Sequence, residues 1–267
     1  MKKLWRFLVL ALLCAALFWA LWANTALQLN TISLQDANLP AGFDGYRIAH
    51  ISDFHNAANM TDDVLESLEA AKPDIICITG DLIDSRLTNI EAALNLVEGA
   101  TKIAPCYYIT GNHESRLKLE AYESLLDGLT AKNVTVLDDE QVMLDRNGEQ
   151  IAMVGHFWGD TKDVGSISDF DGYRILLSHQ PEAIDDYVAA GYNLVLSGHA
   201  HGGQFRLPFV GGLFAPGQGL FPQYDAGVFN QENTAMVVSR GIGNSLFPIR
   251  INNRPEVILI ELKCLTA

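Results

Sequence analysis

The chain alternates short apolar runs with longer mixed stretches, and this spacing predicts most of its elements. Residues 46–52, 74–79, 106–110, 174–178 and 193–196 are compact, largely apolar runs of the kind that form buried strands. Between them the period becomes helical. Val64, Leu65 and Leu68 predict a helix over 61–71, opened by Thr61 or Asp62. Further helices are expected over 89–97, ending at Gly99, over 116–126, and over 182–190, the last opened by Pro181 and stopped by Gly191. Stretches 133–137, 141–145 and 150–154 read as strands, with Arg146-Asn147-Gly148-Glu149 as the turn between the last two. Residues 235–239 and 256–262 are later strands. Strands alternating with helices, then a strand-rich second part without internal repeats, predict a layered α/β domain.

The N-terminus breaks this pattern. Residues 7–23 are uninterrupted and apolar; they span about 26 Å as a helix, near the lower limit for crossing a bilayer. Trp5 lies near one end and Trp19 and Trp22 near the other, as interfacial aromatics do. Lys2, Lys3 and Arg6 precede the run, which predicts a cytoplasmic N-terminus and a body outside the cytoplasmic membrane. A cleaved signal peptide is the rival reading. The run exceeds the usual apolar core of such peptides and ends in Trp22-Ala23-Asn24-Thr25-Ala26, a poor cleavage site. Leu13 also makes Cys14 a poor lipid-attachment site. The expected division is an anchor over 1–26, a linker and edge strand over 27–44, and the folded body over 45–267.

Formal net charge is −14. The first 35 residues hold three cations and no acid, so the rest carries −17. Such a body speaks against a nucleic-acid-binding surface, though bound cations can still admit a phosphate substrate. Of the cysteines, Cys14 lies in the N-terminal run and Cys77 in a strand; with Cys106 and Cys264 they read as free thiols, no Cys-x-x-Cys being present. A Cys77–Cys106 bridge remains an alternative outside the cytoplasm.

The ends of the apolar runs carry the chemistry. They lead into Asp53-Phe54-His55, Gly80-Asp81-Leu82-Ile83-Asp84, Gly111-Asn112-His113-Glu114, His179, and Gly198-His199-Ala200-His201. In open α/β sheets, ligands bind beyond the carboxyl ends of the strands, so these residues could share one pocket. Carboxylates, imidazoles and one amide, without thiolates, suit Mn²⁺, Fe or Zn²⁺. Residues 202–227 form a long Gly/Pro-rich loop with four phenylalanines, Phe205, Phe209, Phe214 and Phe221. They could wall the pocket beside the metals or pack the loop onto the body.

These five motifs, in this order, resemble the calcineurin-like metallophosphoesterases. With the N-terminal anchor, Gly202-Gly203-Gln204 and the 239–250 segment resemble the bacterial membrane-bound YkuE/YaeI-like phosphodiesterase branch. The resemblance implies a four-layer α-β-β-α sandwich with two divalent ions, Mn²⁺ foremost and Fe, Zn²⁺ or Co²⁺ as alternatives. It assigns Asp53, His55 and His201 to one ion, Asn112, His179 and His199 to the other, and Asp81 to both. It makes His113 the acid for the leaving oxygen and Asp84 its orienting partner. Asp84 as a plain helix cap is the alternative. Glu114 reads as structural and His50 as a core histidine. Arg240 and Arg250 are candidates for phosphate contact or simple ion pairing, and His156 receives no role. The implied activity is phosphodiester or pyrophosphate hydrolysis by metal-bound hydroxide, on a lipid or cell-envelope phosphate ester. A nucleotide phosphodiesterase and a catalytically silent scaffold are the rivals.

Overall fold

The computed structural model describes residues 2–244 and 247–265; Met1, Ser245, Leu246, Thr266 and Ala267, within the expected anchor and body, lie outside the described residues. Helix α1 (Lys2–Thr25) leads into β1 (Gln28–Asp36), β2 (Arg47–Ile51), α2 (Thr61–Ala71), β3 (Ile75–Thr79), α3 (Ile90–Ala100) and β4 (Cys106–Ile109). Then come α4 (Leu119–Ala131), β5 (Val134–Val136), β6 (Glu140–Arg146), β7 (Glu149–Gly155), β8 (Arg174–Leu177), α5 (Ile184–Ala189) and β9 (Leu194–Ser197). Two small hairpins follow: β10 (Arg206–Leu207) with β11 (Gly211–Gly212), and β12 (Phe214–Ala215) with β13 (Gly219–Leu220). Strands β14 (Gly227–Gln231), β15 (Thr234–Val238) and β16 (Glu256–Cys264) complete the body.

The apolar runs are apolar on both faces, so each must be covered on both sides. Two six-stranded sheets achieve this, in the orders β1-β16-β2-β3-β4-β5 and β14-β15-β9-β8-β7-β6. Ile48, Ile75, Ile109, Met153, Leu177 and Leu196 fill the space between the sheets. Ile76, Ile78 and Tyr108 face outward under α2, α3 and α4, while Leu176, Val195 and Met236 face α5. The result is the four-layer α-β-β-α sandwich expected from the resemblance. Strands β2 to β5 run parallel, as do β7, β8, β9 and β15, so each sheet presents several carboxyl ends along one edge.

Several expectations shift. Helix α3 runs on to Ala100, and its cap is Asn89, whose side chain accepts from Ala92 N–H at 3.1 Å. Helix α4 starts at Leu119, because Glu114–Arg116 forms a 3₁₀ turn that belongs to the site loop. Helix α5 is only six residues long after a 3₁₀ turn at Pro181–Ala183. Strand β14, not foreseen, pairs antiparallel with β15. The Cys77–Cys106 bridge is ruled out by register: Cys77 pairs across with Tyr107 and Cys106 with Ile76, so the two thiols lie on opposite faces of the sheet. All four cysteines are free.

Helix α1 is long and apolar enough to cross a membrane, at 24 residues or about 36 Å. Its apolar side chains are exposed over nearly the whole length. Only Ala26 and Leu27 separate it from β1.

Candidate metal centre

Each expected donor sits just beyond a strand end. Asp53 and His55 follow β2, Asp81 follows β3, Asn112 and His113 follow β4, His179 follows β8, and His199 and His201 follow β9. All are buried. Asp53, His55, Asp81, His199 and His201 hold left-handed backbone conformations, with φ between 45° and 67°. Such strain, of order 1 kcal/mol or more per residue, persists where the surroundings over-determine it, and it concentrates at functional sites. Two glycines allow the strand ends to close in. Gly80, at φ +82°, lies so near Gly111 that an added Cβ would sit 2.6 Å from the Gly111 Cα.

The donors form two groups with one shared member. Donor atoms of Asp53, His55, Asp81 and His201 all lie within 4.8 Å of one another, as do those of Asp81, His179 and His199. Nε2 of His55 is 3.2 Å from Nε2 of His201 and 3.5 Å from Asp81 Oδ2. His201 Nε2 is 3.3 Å from Asp53 Oδ1, and His179 Nε2 is 3.2 Å from Asp81 Oδ2. Atoms bound to one ion at about 2.0–2.2 Å stand roughly 3–3.6 Å apart, so these separations are those of co-ligands. The residues fit such ions on a further count. Asn112 Oδ1 and His179 Nε2 are buried without a hydrogen-bond partner, a costly state unless a cation meets them. His179 Nδ1 donates to the Thr79 carbonyl at 2.6 Å, which fixes the tautomer and leaves the Nε2 lone pair for a metal.

Electrostatics point the same way. Burial pushes His199 and His201 down to about 3, keeping both rings in the neutral, ligating form. Burial also works against charge on His179, yet Asp81 and Asp53 overcome it and lift the ring to about 10. Buried carboxylates that draw a proton so strongly would be met by a divalent ion.

A third compact group, His55, Asp84 and His113, is of another kind. Ser85 N–H donates to His113 Nδ1 at 3.0 Å, which places the ring proton of neutral His113 on Nε2. Asp84 was expected to orient His113, but its nearest oxygen is 3.5 Å from Nδ1. Its carboxylate instead takes two bonds from the Arg86 guanidinium, at 3.0 and 2.6 Å, and one from Arg86 N–H. The contact of Asp84 with His113 is therefore one of charge, and the Ser85 amide makes the hydrogen bond.

Glu114 is structural, as expected, in a specific way. Its fully buried carboxylate accepts from Asp81 N–H at 2.9 Å, Gly111 N–H at 3.0 Å and Ile83 N–H at 3.1 Å. It thereby clamps the loops after β3 and β4 together. His50 is a core histidine whose Nε2 meets the Thr79 hydroxyl at 2.8 Å. Of the two candidate phosphate contacts, Arg250 is wholly buried and donates to Arg240 O at 2.7 Å, Asn244 Oδ1 at 3.1 Å and Gly243 O. Arg240 faces Glu256. His156, given no role, pairs with Asp139 at 3.0 Å.

The cavity over the donors is lined by Asp81, Asn112, His113, His199 and His201, together with Ser85, Arg86, Arg116 and Pro216. None of the four loop phenylalanines lines it. Phe205 packs on Phe247 at 5.6 Å between ring centroids, while Phe209, Phe214 and Phe221 are exposed. Neither expectation for the loop holds in full. Sequence reasoning also missed Arg86 and Arg116, two cations at the cavity. It missed Trp158, whose ring lies 4.8 Å from that of His199 and 5.7 Å from that of His179. Trp158 follows β7 in the same way the donors follow their strands, and that placement was the available signal.

A pair of carboxylate-bridged donor groups at the strand ends of an α-β-β-α sandwich defines a dinuclear metallohydrolase. The sequence profile of the calcineurin-like phosphoesterases matches residues 46–203, more than half of the chain, and the chain belongs to that family. It is 30% identical over 255 residues to the uncharacterized metallophosphoesterase YkuE of Bacillus subtilis, covering 86% of this chain and 84% of the relative. It is 30% identical over 217 residues to phosphodiesterase YaeI of Escherichia coli, covering 80% and 78%. Among solved structures, TT1561 of Thermus thermophilus shares the fold at a TM-score of 0.50 and 10% identity, covering 74% of this chain and 90% of that one. The chain is a metal-dependent phosphoester hydrolase.

Proposed function

We propose that the protein is a membrane-anchored phosphodiesterase or pyrophosphatase acting on a lipid or cell-envelope phosphate ester. The observation that carries the reading is the membership of Asp81 in both donor groups. Asp53, His55, Asp81 and His201 would hold one divalent ion, and Asp81, Asn112, His179 and His199 the other. A single shared carboxylate offsets the repulsion of two cations about 3.5–4 Å apart. Two such ions supply an activated water at neutral pH and neutralise charge on the phosphoryl oxygens. The all-N/O donor set favours Mn²⁺, with Fe, Zn²⁺ or Co²⁺ as alternatives.

The chain's own residues do the rest. His113 keeps its proton on Nε2, because Nδ1 accepts from the Ser85 amide, and it donates a hydrogen bond from Nε2–H to the departing oxygen, stabilising the charge that develops there. Asp84, held by Arg86, sets a negative charge 3.5 Å from Nδ1 on the side of the ring away from the departing oxygen. Arg86 and Arg116 attract the non-bridging oxygens of the substrate or a second anionic group beside them. Trp158 backs the His179 and His199 rings and limits water on that side. The basic residues in the first turns of α1, Lys2, Lys3 and Arg6, favour a cytoplasmic N-terminus and an extracytoplasmic body. A silent scaffold is the weaker reading, since every donor and the acid are assembled.

The test is metal analysis beside hydrolysis of bis-(p-nitrophenyl) phosphate. The expected result is close to two divalent ions per chain and turnover that a chelator abolishes and Mn²⁺ restores. Metal-loaded protein with no turnover would favour the scaffold.

A further inference from the structure

We propose that the exposed apolar rim beside the metal cleft seats on the same bilayer that α1 crosses, so that the cleft receives its phosphodiester from that leaflet. This rests on the reading of the body as a phosphoesterase and of α1 as its membrane helix.

Topology places the helix and the site together. Gln28, the first residue of β1, pairs with Glu256, and two positions further along β16 Ile258 pairs with His50, near the carboxyl end of β2. Strand β1 therefore starts at the sheet edge where Asp53, His55 and Asp81 stand, and α1 leaves from that edge.

The junction is pinned. Asn24 Nδ2 donates to Arg250 O at 3.0 Å, and Arg250 N–H donates to Asn24 Oδ1 at 2.7 Å. Arg254 donates to the carbonyls of Ala26 and Leu27 at 2.7 and 3.0 Å, and its guanidinium lies 4.7 Å over the Trp22 ring. Ala23 is buried in the contact. With only two residues between helix and strand, the body holds a fixed attitude to α1.

The residues around this junction are apolar and exposed. Ile249 and Ile251 flank Arg250, Phe247 precedes them, and Leu207, Phe209 and Val210 lie on the adjoining hairpin; each is at least 40% exposed. The two segments are joined by Arg206 N–H to Ile251 O at 2.9 Å, by the Gln204 amide to the carbonyls of Phe247 and Ile249, and by the Phe205–Phe247 contact. The same segment borders the site. A groove with His55, Asn56, Asp84 and Arg86 on its lining continues to Leu87 and Pro248.

A contiguous apolar rim of this kind marks an interaction surface. Its position at the pinned exit of a membrane helix selects a bilayer over a protein partner. The helix already brings lipid to the rim, so seating requires no separate association step. Trp22 and Arg254 supply the amphipathic pair typical of the headgroup level. Phe209 of the loop thus meets lipid at the mouth of the cleft without lining the cavity itself.

The test uses the full chain, with Cys14→Ser and Cys264→Ser, in nanodiscs of phosphatidylcholine and phosphatidylglycerol. Spin labels are placed by Phe209→Cys, Ile249→Cys or Gln150→Cys, the last on β7 at the opposite edge of its sheet. Labels at 209 and 249 should collide more with oxygen than with a water-soluble nickel chelate, and the label at 150 the reverse. Nickel access at 209 and 249 equal to that at 150 overturns the seating. In parallel, Phe209→Asp with Ile249→Asp is assayed on hexadecyl p-nitrophenyl phosphate in the disc and on ethyl p-nitrophenyl phosphate in solution. The expected result is a tenfold or greater loss of kcat/KM on the first and less than a twofold change on the second. Equal losses overturn delivery from the leaflet. No metal-dependent turnover of either ester, with labels 209 and 249 in lipid, would overturn the phosphoesterase reading and leave the seating standing.

Discussion

Replacing Glu114 by Gln tests whether the site is held together by one buried carboxylate. Glu114 Oε2 accepts from Asp81 and Gly111, and Oε1 accepts from Ile83. An amide of the same shape keeps at best the two bonds to its oxygen. Its NH₂ then meets the Ile83 N–H donor to donor. Leaving one buried donor unmet, beside the loss of a charged acceptor, should lower stability by about 1.5–3 kcal/mol. For a body of this size that corresponds to a fall in Tm of roughly 3–12 °C. Glu114→Ala loses all three bonds and should fall further, by about 3–6 kcal/mol. The Asp81 amide is one of the three donors, so the change also loosens the residue shared by both donor groups. Metal affinity should weaken by about 10–100-fold, as for other supports of metal ligands. The assays are thermal unfolding of chelator-treated protein in nanodiscs and titration of the same protein with Mn²⁺. Unchanged melting of Glu114→Gln, with unchanged Mn²⁺ affinity, would refute the clamp.

His113→Ala should keep its metal and lose roughly 10²–10⁴-fold in turnover, the loss shrinking for esters with good leaving groups; loss of metal would make His113 a ligand. Ser85→Pro removes the amide that fixes the His113 tautomer and should lower kcat with little change in metal content, checked by steady-state kinetics beside metal analysis. Protease added to intact spheroplasts should digest the body, and the mature chain should retain residues 2–25; full protection would reverse the topology.

The site was legible in the sequence because its donors occupy one kind of place. Asp53, Asp81, Asn112, His179 and His199 each follow an apolar run of four to seven residues, too short for a buried helix and long enough for an interior strand. The layering followed from the same runs. What was hidden depends on contacts between segments distant in the chain. The Ser85 amide competes with Asp84 for His113 only once the loops after β3 and β4 meet. The clamp by Glu114 and the full burial of Arg250 under three acceptors are likewise tertiary. Strand β14 escaped because Gly227-Val228-Phe229-Asn230-Gln231 is short, mixed and half-buried, and its pairing with β15 gives it its form. The loop phenylalanines invited a pocket wall; the exposure of Phe209 became intelligible only when α1 was seen to end at Arg250, on the segment joined to its hairpin.

The shared carboxylate is the centre of the account, and Asp81→Asn probes it most directly. Bound Mn²⁺ and hydrolysis of bis-(p-nitrophenyl) phosphate are measured on parent and variant at saturating metal. The account predicts close to two ions in the parent, loss of most metal in the variant, and nearly complete loss of turnover. A variant that turns over at near the parent rate with saturating metal would contradict a centre bridged through Asp81.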